Sequence, residues 1–310
     1  MNITVLYGGP SSERKISLIS GKAIADALVA MGHQVYLADI MPDNLGPLDH
    51  PADVIFPILH GAWGESGELQ AILEQHKLVF VGSSSRASRL GMDKVASKPV
   101  WKKAGLPTPA WRVIESVDAI PAAIDAVGLP CVVKVTDGGS SIDVYICQTR
   151  QQAMDAAVKL VARYGRAMVE QFIAGKELTV GILDGEALPP IWVKPRSEFY
   201  DFNAKYEADS TEYLFDLGVD APGVDAIKQL AVQAHNVLGC RHLSRVDIML
   251  DQNTQKPYLL EINTLPGFTS HSLFPKAAKQ IGLDFGPLVD TLVRLAYAEA
   301  GRGIPAGAVA

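Results

Sequence analysis

The apolar positions of this chain follow two periods. Ile3 to Tyr7 is a short apolar run and predicts a first strand, and ISLISGKAIADALVAMG (16–32) then carries apolar residues at helical spacing. Residues 35–38, 54–60 (VIFPILH) and 78–82 (LVFVG) predict further strands, and 67–76 predicts a helix. Strand, loop, helix, strand is the grammar of a parallel sheet with crossover helices. A second unit begins near MDKVASKPVWKKAGLPTPAW, whose helix should stop around Gly105 because Pro107 and Pro109 follow. LPCVVKV (129–135), DVYICQ (143–148) and AMVEQFI (167–173) predict strands, with an amphipathic helix over 151–165. GKELTVGILDGEALP reads as a hairpin turning at Asp184-Gly185. In the remainder, 196–213 lacks periodicity and reads as a loop, 224–239 is helical, and 244–263 is a hairpin of two long strands before a last helical region. The tail 301–310 has few anchoring side chains, so fraying is expected there. The expected domains are 1–93, 94–185 and 186–310, in an α/β chain.

The chemistry concentrates in the last hairpin. Strand side chains alternate faces, so Arg245 and Asp247 share one face of SRVDIML while Val246, Ile248 and Leu250 take the other. Glu261 and Asn263 share a face of LLEIN. Two carboxylates and an amide oxygen suit Mg²⁺, which takes hard oxygen ligands shared with phosphates and water. Arg245 could neutralise a phosphoryl group or an oxyanion. A solvated strand face with ordinary ion pairing fits the same residues. No His/Cys cluster favours zinc.

Lys134 sits in an apolar strand, where burial without a partner is costly and a nucleotide phosphate would supply one. Lys94 stands at a helix start, where phosphate is favoured. Both lysines could instead extend to solvent. TDGGSSIDVY (136–145) follows Lys134, and its glycine amides could cradle phosphate oxygens. Neither a GxxxxGK[ST] P-loop nor a GxGxxG fingerprint is present, so a nucleotide site requires another architecture.

Composition narrows the classes. The chain has 310 residues, is 48% hydrophobic and carries a formal charge of -6. It therefore has no general attraction to nucleic acid or anionic membrane. No run of about 18 apolar residues predicts a membrane span. The N-terminus lacks the basic and apolar regions of a signal peptide. Cys131, Cys147 and Cys240 form no CxxC pair or disulfide framework, so a reducing, cytoplasmic setting is expected.

Together the segments GGPSSERKISL (8–18), HGAWGESGELQ (60–70), GMDK (91–94), VVKVTDGGSS (132–141), EQFIAGKELTV (170–180), AKYEADSTEY (204–213), SRVDIML (244–250) and LLEINTLPGFTSHSLFP (259–275) resemble the D-alanine-D-alanine ligases of the ATP-grasp superfamily. The resemblance spans nearly the whole chain. It implies a three-domain ATP-grasp fold with a parallel N-terminal sheet and ATP between the central and C-terminal domains. It implies ligation of two D-alanines through an acyl phosphate for peptidoglycan precursor synthesis, with two Mg²⁺ ions (Mn²⁺ able to substitute) and a homodimer.

The resemblance also implies residue roles. Lys94 and Lys134 would contact phosphates, Glu170, Gln171, Phe172 and Ile173 would form the strand receiving adenine, and Glu177 would hold the ribose. Asp247, Glu261 and Asn263 would hold the metal ions. Arg245 and the Gly267 N–H would form the oxyanion site. Glu13 would bind the ammonium of the first D-alanine with His60 nearby, and Ser272, next to Leu273, would receive the second carboxylate. Lys205 and Tyr206 would close over the site, with Glu13, Ser140 and Tyr206 forming a latch. Tyr206 goes with dipeptide rather than ester formation. From the residues alone, Glu13 could also cap the helix near Ile16, His60 could bond to backbone, and Tyr206 could be a packed loop anchor. The chain departs from the family pattern at Val135, where proline is usual, and at Asp143, where a glycine is usual. Two rivals remain: an ATP-grasp ligase using another amino acid, and a degenerate nucleotide-binding regulator.

Overall fold

The computed structural model describes residues 1–137, 143–195, 211–269 and 272–301. Ser140, Lys205 and Tyr206 lie outside the described residues. Strands β1 (Asn2–Gly8), β2 (Gln34–Ile40) and β3 (Val54–Pro57) form a parallel sheet in the order β2-β1-β3. Helix α1 (Arg14–Ala30) makes the crossover and buries Ile24 and Leu28. The strand expected at 78–82 is reduced to a single parallel bridge, in which Ile55 N–H donates to Val79 O at 2.8 Å and Val81 N–H donates to Ile55 O at 2.9 Å. The chain leaves the sheet at Gly82 (φ +105°), whose N–H is taken by His242 Nδ1 at 3.0 Å. Helices α2 (Ala62–Glu65), α3 (Glu68–Gln75), α4 (Ser85–Met92) and α5 (Lys94–Lys103) flank this passage.

The second sheet is antiparallel. It contains β4 (Trp111–Ile114), β5 (Cys131–Lys134), β6 (Val144–Cys147) and β7 (Ala167–Gln171) in the order β4-β7-β5-β6. Helices α6 (Ile120–Val127) and α7 (Arg150–Tyr164) share its core of Ile114, Ile124, Val133, Leu160 and Val169. Thr149 and Gln152 close a capping box at the start of α7, satisfying backbone donors the first turn leaves unpaired.

The largest sheet holds β8 (Gly175–Leu183), β9 (Glu186–Ala187), β10 (Ile191–Pro195), β11 (Thr211–Leu214), β12 (Leu243–Asp251) and β13 (Pro257–Asn263). Its order is β11-β10-β8-β12-β13, with β9 paired to β8 through the turn at Asp184 (φ +51°) and Gly185 (φ +77°). β8 lies within 94–185, the span expected of the second domain, yet it pairs with β10 and β12. α5 behaves likewise: Trp101 is fully buried in one core with Val180, Leu230, Ile248 and Ile262. α8 (Ala221–Leu238) covers the same face. Part of the segment read as a loop is strand, because β11 pairs with β10 from Thr211 to Leu214.

The chain ends with α9 (Leu273–Lys279) and α10 (Phe285–Glu299). These pack with Phe268 against Ile3, Val5, Phe56 and Leu28, so the two ends of the chain share one core.

Candidate active site

The expected alternation in the last hairpin sets the site. Val246, Ile248 and Leu250 are at most 1% exposed beneath the sheet. On the other face Asp247 is the register partner of Glu261, and Arg245 of Asn263. The register slips between Asp247 and Ile248, leaving Leu260 as the extra residue of a bulge. Bulges bend a strand and re-aim its side chains, and this one lies directly beside Glu261.

Arg245 grips Asp247 with two donors, Nε to Oδ1 at 3.0 Å and a terminal nitrogen to Oδ2 at 2.8 Å. Thr179 of β8 donates to the same Oδ1 at 2.6 Å. Asn263 Oδ1 accepts the N–H of Leu265 at 3.0 Å. Glu261 Oε2 lies 2.9 Å from Lys94 Nζ. Asp247 and Glu261 offer carboxylate oxygens and Asn263 an amide oxygen, all hard donors. Among the described residues no group of three His, Cys, Asp or Glu side chains meets. The oxygen donors of Asp247, Glu261 and Asn263 are of the kind Mg²⁺ takes alongside water and phosphate oxygens.

Lys94, Glu261, Asn263 and Thr264 line an open cleft together with Glu65, Gly91, Met92 and Ile262. α5 places Lys94 there. Asp93 caps that helix by accepting the N–H of Val95 at 2.8 Å, and Lys94 N–H donates to Thr136 O at 3.0 Å.

Lys134, at the end of β5, has a partner within the protein. Its Nζ donates to Glu170 Oε2 at 2.6 Å, whereas the sequence suggested phosphate as the compensating charge. Lys98, which the sequence reading missed, ion-pairs with the other oxygen of Glu170. Burial pushes the Glu170 carboxyl up, and the two lysines outweigh it, so it lies below the ordinary glutamate value. Burial pulls Lys98 down to about 8, with Glu170 opposing and Lys134 reinforcing the change. A period-of-four pattern at Lys94, Lys98 and Lys102 on α5 was the available signal.

Residues 172–174 connect β7 of the second sheet to β8 of the third. Gln171 N–H donates to Ala110 O at 2.8 Å and Phe172 N–H to Pro130 O at 3.3 Å, so these two amides are committed within the protein. Ile173 is buried, and Glu177 is half-buried on β8.

On the N-terminal side, Glu13 precedes α1 without a side-chain cap bond, and its main-chain carbonyl accepts the N–H of Ile16 at 2.9 Å. Its Oε2 would lie 3.6 Å from a Cβ placed on Gly61. His60 is buried, with Nδ1 3.3 Å from Glu65 Oε1, while Glu65 Oε2 accepts Gly61 N–H at 2.8 Å. His60 Nε2 is buried with no hydrogen-bond partner among the described residues. Glu65 is thus a second residue the sequence reading did not single out. At the far side, a Cβ on Gly267 would lie 3.0 Å from Ser272 Oγ, which accepts Thr269 N–H at 2.9 Å. Leu273 packs against the shared terminal core.

A family model described as "D-ala D-ala ligase C-terminus" matches residues 100–294. A D-alanine–D-alanine ligase of Hydrogenovibrio crunogenus is 41% identical over 295 residues, covering 94% of each chain. The chain belongs to the D-alanine–D-alanine ligase family. A D-alanine–D-alanine ligase B of Xanthomonas campestris pv. campestris is 44% identical and covers 93% of this chain and 92% of its own. Among solved structures, the D-alanine–D-alanine ligase of Bacillus anthracis complexed with ATP superposes with a TM-score of 0.84 at 27% identity, covering 97% of this chain and 99% of that one. The three-sheet architecture with its parallel N-terminal sheet is accordingly the ATP-grasp fold of this family.

Proposed function

We propose that this chain joins two D-alanine molecules into D-alanyl-D-alanine at the expense of ATP, supplying a peptidoglycan precursor. The observation that carries the proposal is the meeting of Lys94 with Glu261 in a cleft that Glu65 of the N-terminal part also lines. A carboxylate is a poor acyl donor because its leaving group would be oxide. Transfer of the γ-phosphoryl group to one carboxylate oxygen gives an acyl phosphate and ADP. The amine of the second D-alanine adds to that carbonyl, the C–O bond to phosphate breaks, and the amine loses a proton.

Each residue set has one task in this scheme. Lys94 and Lys134 balance phosphate charge, as positioning and electrostatics carry phosphoryl transfer. Arg245 and the Gly267 N–H face the oxyanion. Glu13 takes the ammonium of the first D-alanine, His60 lies beside it through Nε2, which has no partner among the described residues, and Ser272, with Leu273 packed behind, takes the second carboxylate. The segment 170–173 receives adenine and Glu177 the ribose. Asp247, Glu261 and Asn263 hold Mg²⁺, or Mn²⁺ in its place, and bound metal supplies charge neutralisation at the phosphates. Lys205, Tyr206 and Ser140 are assigned to excluding water from the acyl phosphate. The reaction belongs in the cytoplasm, where ATP is available, and a homodimer is the expected assembly. The described cysteines are free, and among the described residues no helix is long and apolar enough to cross a membrane.

A panel of paired D- and L-amino acids with ATP and Mg²⁺ tests the proposal, with products identified by mass and chiral separation. D-alanyl-D-alanine should dominate. ATP turnover with no product from D-alanine, or preferential use of another amino acid, would overturn it.

A further inference from the structure

Glu170 carries two lysines where one would neutralise it. Lys134 takes Oε2 at 2.6 Å and Lys98 takes Oε1. Lys98 is 0% exposed and Glu170 1%, while Lys134 is 7% exposed at the accessible end of the trio. An uncompensated buried cation is expensive, and apolar replacement of surplus buried charge is commonly neutral or stabilising. A simple Lys134–Glu170 pair with an apolar residue at 98 would therefore fold at lower cost. The trio as built carries one positive charge beyond neutrality.

Lys98 is also fixed in place. Its Nζ donates to Thr108 Oγ1 at 2.5 Å, and Thr108 donates to Leu259 O at 2.8 Å, two residues before Glu261 on β13. Its ammonium lies 5.5 Å from the centroid of the Trp111 ring, which Lys102 also approaches at 5.8 Å. Lys94, one turn earlier on α5, contributes like charge.

We infer that Lys98 is a positioning residue for nucleotide binding: by occupying one oxygen of Glu170 it leaves Lys134 with net positive charge for a phosphate. Without Lys98, Glu170 would neutralise Lys134 outright. The inference rests on the proposed contact between Lys134 and phosphate. The effect is electrostatic, so loss of Lys98 should matter much less once the carboxylate charge is also gone.

The test is a double-mutant cycle on the full chain, reading the Kd of ATP with Mg²⁺ by calorimetry and the KM of D-alanine, with folding checked by thermal melting. Lys98→Met should weaken ATP about tenfold and leave the KM of D-alanine unchanged. In the Glu170→Gln background, Lys98→Met should cost little further ATP affinity. Unchanged ATP affinity in Lys98→Met, or losses that simply add in the double variant, would overturn the inference. Lys134→Met separates the two readings. If it leaves ATP binding intact, the phosphate contact itself fails; if it weakens binding while Lys98→Met does not, only the role of Lys98 fails. A measurement on the unaltered protein guards against misfolded variants. ATP affinity should fall as pH rises through about 8, where Lys98 loses its proton. The same fall in Lys98→Met would contradict the inference.

Discussion

Asp143 shows how one residue replaces another's conformational role. It stands where the family usually has glycine, and its φ is +54°, a region that aspartate tolerates better than most residues. Its carboxylate is held by Tyr145 at 2.7 Å, Tyr164 at 2.6 Å and Arg163 at 3.1 Å. The tyrosine hydroxyls, with help from Arg163 and Lys159, hold it below the ordinary aspartate value. The charge is therefore turned onto α7 and answered there. Asp143→Ala should lose more stability than Asp143→Gly, by ~1 kcal/mol, because both lose the anchors but only alanine carries the left-handed strain. Equal denaturant midpoints would contradict this. His235 gives a pH prediction. Burial, with His242 adding, lowers it from 6.5 to about 4, and its Nδ1 lies 2.7 Å from Ser244 Oγ. Between those values the unfolded chain binds more protons, so this group's contribution to stability is present above pH 6.5 and is lost as pH falls toward 4. Its share of the loss from pH 7 to 5 should be ~2 kcal/mol. The corresponding loss in His235→Asn should be visibly smaller; identical pH dependence of unfolding would refute this assignment. For the metal ligands, Glu261→Gln should nearly abolish turnover, and near-normal rates would remove the metal assignment.

At the scale of elements, alternation made the hairpin legible. A period of two fixes which residues share a face, and Asp247 opposite Glu261 follows once the strands pair. The bulge at Leu260 was not legible, since it depends on backbone register. The Lys98–Glu170 pair was hidden for a related reason: its members come from a helix and a strand that only tertiary packing brings together. β10 and β11 were missed because neither has a clean alternation and the non-periodic 196–210 stretch separates them. The strand at 78–82 was overread, since its apolar run reflects burial of Phe80 and Val81 more than pairing. Close approach of strands also gives a prediction. A Cβ on Gly175 would fall 1.8 Å from Leu250 O, where β8 meets β12. Gly175→Ala should cost ~2 kcal/mol or more by prising that end of the sheet apart. A melting temperature unchanged from the parent would show that the strand end relaxes freely.

The whole molecule brings distant segments to one cleft by closing its two ends together. α10 packs on α1, Asp290 accepts from His33 at 2.7 Å, and Glu299 meets His242, whose other nitrogen holds Gly82. These ties fix the parallel sheet against the largest sheet, and so set Glu65 across from Glu261. In the proposed reaction a carboxylate is activated by phosphorylation before the amine attacks. Isotope transfer tests this directly. With D-alanine carrying ¹⁸O in its carboxylate, one labelled oxygen should appear in the inorganic phosphate for each dipeptide formed, because the bridging oxygen of the acyl phosphate leaves with phosphorus. Dipeptide accompanied by unlabelled phosphate would contradict activation through an acyl phosphate.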